Sequence, residues 1–220
     1  MGPRVDVILP CLNEAGALAA VLTQIPPGYR AIVVDNGSTD RSVEIATLHG
    51  ATVVHAAQRG YGAAVHAGLL AASAPIVAFC DADGSFDMRQ LGRVVGPVAL
   101  GDADIVFGRR VTLTRSAWPL HARIANNVLL WFVRNRMDVQ LRDLGPMRAA
   151  RREQLLELDL HDRRSGYPLE LLLRARRAGW RIAEVPVDYL PRVGRSKVTG
   201  TVRGTVHAIT DMLRMLRRYA

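Results

Sequence analysis

The segment IVAFCDADGSFD carries two carboxylates, Asp81 and Asp83, two residues apart at the end of an apolar run. Residues so spaced in an extended segment point the same way, and two neighbouring carboxylates stay ionised together only beside a cation. Hard oxygen ligands of this kind suit Mg2+ or Mn2+, which take one or two carboxylates and fill the remaining positions with substrate phosphate and water. A diphosphate bridged by metal is the matching ligand. An Asp-Gly turn with capping carboxylates has the same residues, and the spacing alone leaves both open. An EF-hand is excluded, because DADGSFDMRQLG lacks the glycine and the terminal glutamate that its loop requires.

A second chemical signal is YLPRVGRSKVTGTVRG, which holds the one lysine of the chain, Lys197, against 28 arginines. Arginine serves wherever a solvated charge is wanted. An ammonium is a compact, strongly hydrated point charge on a flexible stem, suited to meeting a phosphate. Gly194, Ser196 and Gly200 around it permit a moving loop.

These groups need a scaffold, and the first half supplies one. VDVIL (5–9), AIVVD (31–35), ATVVH (51–55), IVAFC (76–80) and DIVFG (104–108) have the pattern of buried strands. Between them Leu18, Val21, Leu22 and Ile25 recur at helical spacing, and YGAAVHAGLLAA is an alanine-rich helix. Strands alternating with helices predict an α/β chain with a mostly parallel sheet flanked by helices. Ligands of such sheets bind beyond the carboxyl ends of the strands. The loops PCLNE, DNGSTD, DADGS and GRR therefore fall on one rim. Further on, the pattern predicts a helix over 118–136, another over 165–178 and a strand over 181–190. Val202, Val206, Ile209, Leu213 and Leu216 then form the apolar stripe of a basic C-terminal helix. That stripe suits packing or a membrane surface.

Composition narrows the classes. With 220 residues, 49% apolar and 22% charged, the chain can bury a full core. VLLWFV (128–133) is far shorter than a membrane span, which needs about 18 residues. The N-terminus meets Asp6 and a turn too early for a signal sequence, so cytoplasmic residence is expected. Cys11 and Cys80 have neither zinc nor redox spacing, and the six histidines have no metal-ligand spacing. A net charge of +9 attracts polyanions, but aromatics make up 5% and do not interleave with basic residues, so nucleic acid is not expected.

VILPCLNEAGAL, IVVDNGSTDRS, QRGYGAAVHAGLLAA, IVAFCDADGS, DIVFGRR and EVPVDYLPRVGRSKV, in that order over residues 5–203, resemble glycosyltransferase family 2 proteins of GT-A fold. Within that family the chain is most similar to the polyprenyl-phosphate sugar synthases, the dolichyl-phosphate mannose synthase group. The resemblance implies a catalytic domain over 1–200, with a Rossmann-like nucleotide-sugar half at 1–110 and an acceptor half at 111–200. Residues 201–220 would form the amphipathic basic helix. It implies inverting transfer of a sugar, mannose or glucose, from a GDP- or UDP-sugar.

By the same resemblance Pro10, Leu12, Glu14, Val34, Asp35, Asn36 and Gly62 would line the donor nucleoside, and Asp81 and Ala82 its ribose and diphosphate. Asp83, with Asp81 and Ser85, would hold Mg2+ or Mn2+. Asp83, Arg109 or Arg110, and Lys197 are the expected catalytic groups. Arg110, Arg123, Asn127, Arg192, Arg195 and Ser196 would meet the acceptor phosphate, and RVGRSKV would close as a lid. Three positions depart from the pattern: Leu12 replaces an aromatic, Asn36 a second aspartate, and Ser85 a glutamine.

The acceptor follows from acid-base chemistry. A hydroxyl needs a carboxylate base, whereas a lipid monophosphate is already anionic and needs cations to position it. The late arginines and the missing Glu-Asp pair favour polyprenyl phosphate. Glu170 leaves a hydroxyl acceptor as the alternative, against a role at the dipole of its helix; Asp143 suits loop ordering or a substrate contact. A non-enzymatic anion- or nucleic-acid-binding module is the distant alternative. RGYGAAVHAG lacks the full GxGxxG of a dehydrogenase. Lipid chemistry without a span requires a peripheral contact at the inner membrane face, through the C-terminal helix, VLLWFV or a separate membrane subunit.

Overall fold

The computed structural model describes residues 4–112, 118, 120–137, 139–194, 211–212 and 215. Its elements in chain order are β1 (Val5–Cys11), α1 (Ala15–Thr23), β2 (Tyr29–Asp35), α2 (Ser42–Leu48), β3 (Thr52–His55) and α3 (Tyr61–Ala71). There follow β4 (Ile76–Phe79), α4 (Leu91–Leu100), β5 (Ile105–Thr112), α5 (Leu120–Met137) and β6 (Arg148–Arg151). α6 (Arg152–Glu157), α7 (Tyr167–Arg177) and β7 (Ile182–Tyr189) complete the set.

The seven strands form one sheet in the order β3-β2-β1-β4-β6-β5-β7. β6 is antiparallel to both β4 and β5, and every other pairing is parallel. Alternate strand residues feed opposite layers. Ile8, Ile32, Phe79 and Phe107 pack with α3, α5 and α7 on one face. Val7, Leu9, Val33 and Ala78 pack with α1, α2 and α4 on the other. Burial on both faces explains why the central strands read as unbroken apolar runs.

Several charges interrupt this core. Asp6, fully buried in β1, accepts two hydrogen bonds from Arg30 at 2.8 Å and one each from the Ser73 and Ala74 amides. Burial acts to raise its carboxyl, but those four bonds prevail and hold it below its ordinary value. The staple ties β1 to β2 and to the turn entering β4.

The parallel strands end on the same side, so the loops after β1, β2, β4 and β5 share one rim. β6 runs backwards and reaches that rim with its first residue, since Arg148 pairs in register with Phe79 and Phe107. Gly145 passes so close to β5 that an added Cβ would overlap the Gly108 carbonyl, which explains the glycine in RDLG. The predicted C-terminal helix and the lid residues Arg195, Ser196 and Lys197 lie outside the described residues, apart from Asp211, Met212 and Met215. No helix of the described residues is long and apolar enough to cross a membrane.

Candidate functional site

The loop after β4 holds Asp81 and Asp83 where β1 and β4 diverge. Asp83 is buried, and its Oδ1 accepts the Ser85 amide at 3.0 Å, the local bond of an Asx turn. Its Oδ2 pairs with Arg192 Nη2 at 2.9 Å. Burial and the Asp83 carboxylate push Asp81 up to about 7, against the pull of Arg192, Arg148 and Arg110. Two carboxylates in this condition have the electrostatics of a cation site. The Ser85 hydroxyl is buried and has no hydrogen-bond partner.

The chain leaving β7 is tied to the same loop. The Leu190 amide donates to the Ser85 carbonyl, and the Val193 amide donates to the Asp83 carbonyl, both at 2.9 Å. The segment that begins the lysine-bearing stretch is thus anchored over the carboxylates.

The two arginines at the end of β5 diverge, as successive strand residues must. Arg109 turns to Glu184 at 3.4 Å. Arg110 makes a fork onto Asp143, with Nε to Oδ2 at 2.9 Å and Nη2 to Oδ1 at 2.6 Å, and its own amide also donates to Oδ2. Its guanidinium lies 3.8 Å from the Trp118 ring centre and 5.5 Å from that of Tyr189. Arg123, exposed on α5, reaches 6.0 Å from the same Trp118 ring, and Asn127 follows one turn later, also exposed. Arg110 and Arg192 thus act on Asp81, Arg123 approaches Arg110 across the shared Trp118 ring, and Arg109 turns to Glu184 instead.

The loops after β1 and β2 are laced together. The Asn13 amide donates to Ser38 Oγ, the Glu14 amide to Ser42 Oγ and the Ala15 amide to Asp40 Oδ2. Asn13 sits at φ 56, in the left-handed region, and its side chain accepts the Thr39 amide at 2.7 Å. Pro10, Leu12 and Glu14 stay partly exposed along this seam.

A model of glycosyl transferase family 2 matches residues 6–157. The chain belongs to that family. An uncharacterized glycosyltransferase of Mycobacterium tuberculosis is 52% identical over 98% of this chain and 99% of its own length. A dolichyl-phosphate hexose transferase of Haloferax volcanii is 34% identical over 87% of this chain and 85% of that one. Among solved structures, glucosyl-3-phosphoglycerate synthase from Mycobacterium tuberculosis, in complex with phosphoglyceric acid, superposes with TM-score 0.77 at 26% identity, covering 97% of this chain and 80% of that one. The GT-A glycosyltransferase fold expected from the motifs is the fold observed.

Within this glycosyltransferase several expected donor contacts have internal work. Val34 is fully enclosed in the core. Gly62 is buried in the first turn of α3, where a Cβ would come 2.6 Å from the Asp162 carbonyl; close packing explains the glycine. Asp35 accepts from the Ser38 and Gly37 amides and meets His55 at 3.3 Å. Burial opposes its ionisation, yet the bonds from Ser38, His55 and Gly37 hold the carboxyl below its ordinary value. Asn36 donates to the Gln58 carbonyl and accepts the Gly60 amide. The departure from a second aspartate thus has a physical use, since an amide can both donate and accept here.

Glu170 does not stand where a base would be needed. It is fully buried in α7, accepts the His161 and Asp162 amides at 3.0 and 2.7 Å, and pairs with Arg174 at 3.2 Å. From the first turn of its helix it anchors the 161–164 loop rather than standing on the rim as a base. Glu170→Gln keeps an acceptor for those amides and removes the charge. Urea unfolding should show a loss of about 1–3 kcal/mol, with kcat within about threefold of wild type. A base would lose on the order of a hundredfold or more.

Arg148 is the group that sequence reasoning missed. Fully buried, it donates from Nη2 to the Tyr61 hydroxyl at 3.2 Å and lies 5.2 Å from the Phe79 ring centre, while Nε and Nη1 have no hydrogen-bond partner. It is a buried cation whose field favours ionised Asp81. Only the reversal of β6 brings it here.

A cavity of about 400 Å3 lined by Arg59, Arg163 and Arg164 lies by the 161–164 loop. Its arginines do not make it a ready anion site. Arg164 pairs with Asp211, Arg163 donates to the Leu160 carbonyl, and the Gly62 and Ala63 amides already donate to the 164 and 163 carbonyls.

Proposed function

We propose that this glycosyltransferase moves mannose or glucose, with inversion, from a GDP- or UDP-sugar to a polyprenyl phosphate at the inner face of the membrane. Residues 1–110 bind the donor and 111–200 the acceptor. The observation that carries the acceptor choice is how the carboxylates that could serve as a base are used. Asp35, Asp143, Glu170 and Glu184 are each bound to backbone amides, and all but Asp35 pair with an arginine as well. Arg110 and Arg192 present cations beside Asp81 and Asp83, with Arg123 next to Arg110 across the Trp118 ring. Such a surface suits an acceptor that arrives anionic and needs no base. The dolichyl-phosphate hexose transferase of Haloferax volcanii and an undecaprenyl-phosphate mannosyltransferase of Micrococcus luteus, 31% identical over 91% of this chain, have names in keeping with it.

Asp83 and Asp81 fit Mg2+ or Mn2+, and glucosyl-3-phosphoglycerate synthase has been crystallised with Mn2+ and uridine-diphosphate-glucose. When bound, the ion offsets charge on the departing diphosphate. The chain's own residues do the rest. The Ser85 amide fixes the Asp83 carboxylate, and the field of Arg148 favours ionised Asp81 against burial and the Asp83 charge. Arg110, fixed on Asp143 and Trp118, holds the acceptor phosphate with Arg123 and Asn127. Arg192 pairs with Asp83, and a cation held by that carboxylate would release the guanidinium toward phosphate. Lys197, with Arg195 and Ser196, follows on the loop anchored through Val193.

The phosphoglycerate-bound neighbour supports a second acceptor class, a small phosphorylated acid. A panel of GDP- and UDP-hexoses with undecaprenyl phosphate, dolichyl phosphate and 3-phosphoglycerate separates them. Transfer to the polyprenyl phosphates is expected, and transfer to 3-phosphoglycerate alone would overturn the lipid acceptor.

A further inference from the structure

The outer face of α5 is largely apolar, interrupted by the exposed Asn135. Leu120, Ile124, Val128, Trp131 and Phe132 are 70%, 54%, 50%, 54% and 42% exposed. At helical spacing they form one stripe, opposite Asn126, Leu129, Leu130 and Val133, which are buried against the sheet. Trp131 and Phe132 lie edge to face, with ring centres 5.0 Å apart. Five large apolar side chains in a row on one helix are more than scattered surface residues.

Charge identifies what covers them. The eighteen residues of α5 include three arginines and no aspartate or glutamate. Arg123 and Arg134 fall on one flank of the stripe, the flank on which Arg123 approaches the Trp118 ring that stacks on Arg110. A second copy docked through this face would bring two acid-free helices and their arginines together, which is unfavourable. An anionic bilayer surface meets both halves of the pattern, taking Trp, Phe and aliphatic side chains at the acyl boundary and arginines among the headgroups.

We propose that α5 is an interfacial helix. It lies in the plane of an anionic membrane, its stripe inserted, with the Arg123 flank turning the rim toward lipid phosphates at the surface. The docking site is thereby placed on α5. Its purpose rests on the lipid acceptor proposed above, but its test needs no acceptor.

The test is sedimentation of the full chain with sucrose-loaded vesicles of phosphatidylcholine alone or with 30% phosphatidylglycerol, free of polyprenyl phosphate. Wild type should bind the anionic vesicles, more weakly in high salt, with a blue shift in tryptophan emission. Ile124→Ser/Val128→Ser/Trp131→Ser should lower vesicle affinity by about tenfold or more, while circular dichroism and donor binding stay unchanged. Trp131→Phe alone should bind and lose most of the blue shift. Wild-type binding by the triple variant, or no binding by wild type at low salt, overturns the proposal. A dimer in sedimentation velocity that the triple variant dissolves overturns it in favour of a second copy. Transfer to polyprenyl phosphate in detergent is scored separately, so failure of either proposal is distinguishable from failure of the other.

Discussion

Asp83→Ala should lower kcat for sugar transfer by about a hundredfold to a thousandfold, the usual effect of removing one group that offsets charge in the transition state. The same change should abolish the rise in Tm that Mn2+ with nucleoside diphosphate gives the wild type. Without ligands the variant should fold well, because the Ser85 amide that Asp83 accepts is a local bond. Metal affinity carries a pH signature with a definite sign. Asp81 is pushed up to about 7 by burial and by Asp83, so below that pH the metal-free site holds a proton that the cation must expel. Wild-type affinity for Mn2+ should therefore fall as pH drops from 8 to 6.

Stability has the opposite sign. Between the unfolded carboxyl value near 4 and the folded value near 7, the native chain binds a proton that the unfolded chain does not. Metal-free stability should decline as pH rises through this window, and Asp83→Ala should flatten the decline by removing the like charge. Calorimetry of Mn2+ binding and denaturant melts across pH 5.5–8.5 check both. Unchanged transfer by Asp83→Ala would remove the metal assignment.

The strands that position these groups were legible because burial on both faces turns them into apolar runs, and their shared direction put the four loops on one rim. α4 was harder to see. Leu91, Val94, Val95 and Val98 have helical spacing, but Gly92, Gly96 and Pro97 mask it. β6 was illegible in principle. RAAR has no β-branched or aromatic residue, and it is a strand because it fills the slot between β4 and β5. That blindness hid Arg148. The choice between Arg109 and Arg110 was equally beyond motif reading, since strand alternation says that they part but not which partner awaits each. Asp143 illustrates the same limit: a loop aspartate in RDLG becomes the buried counter-ion of Arg110 only through a contact across 33 residues.

That contact sets the largest stability effect. Arg110→Met should destabilise the protein by about 3–5 kcal/mol, because it leaves the Asp143 carboxylate buried without its counter-ion. The loss does not measure the worth of the pair. A buried ion pair owes much of its attraction to the desolvation of both members, so replacing both by apolar side chains of similar volume is often close to neutral. Arg110→Met/Asp143→Leu should accordingly be more stable than Arg110→Met alone, by about 1–3 kcal/mol, with the residue-110 amide, which loses its Asp143 acceptor, limiting full recovery. Activity should not follow stability. Met at 110 can lie on Trp118 but offers no fork to a phosphate, so the double variant should fold and still show acceptor KM raised by about tenfold or more. Urea melts and acceptor titrations on the four proteins of the cycle separate the two roles. If the double variant regained wild-type acceptor KM, Arg110 would be a structural counter-ion to Asp143 and the phosphate would belong to Arg123 and Arg192.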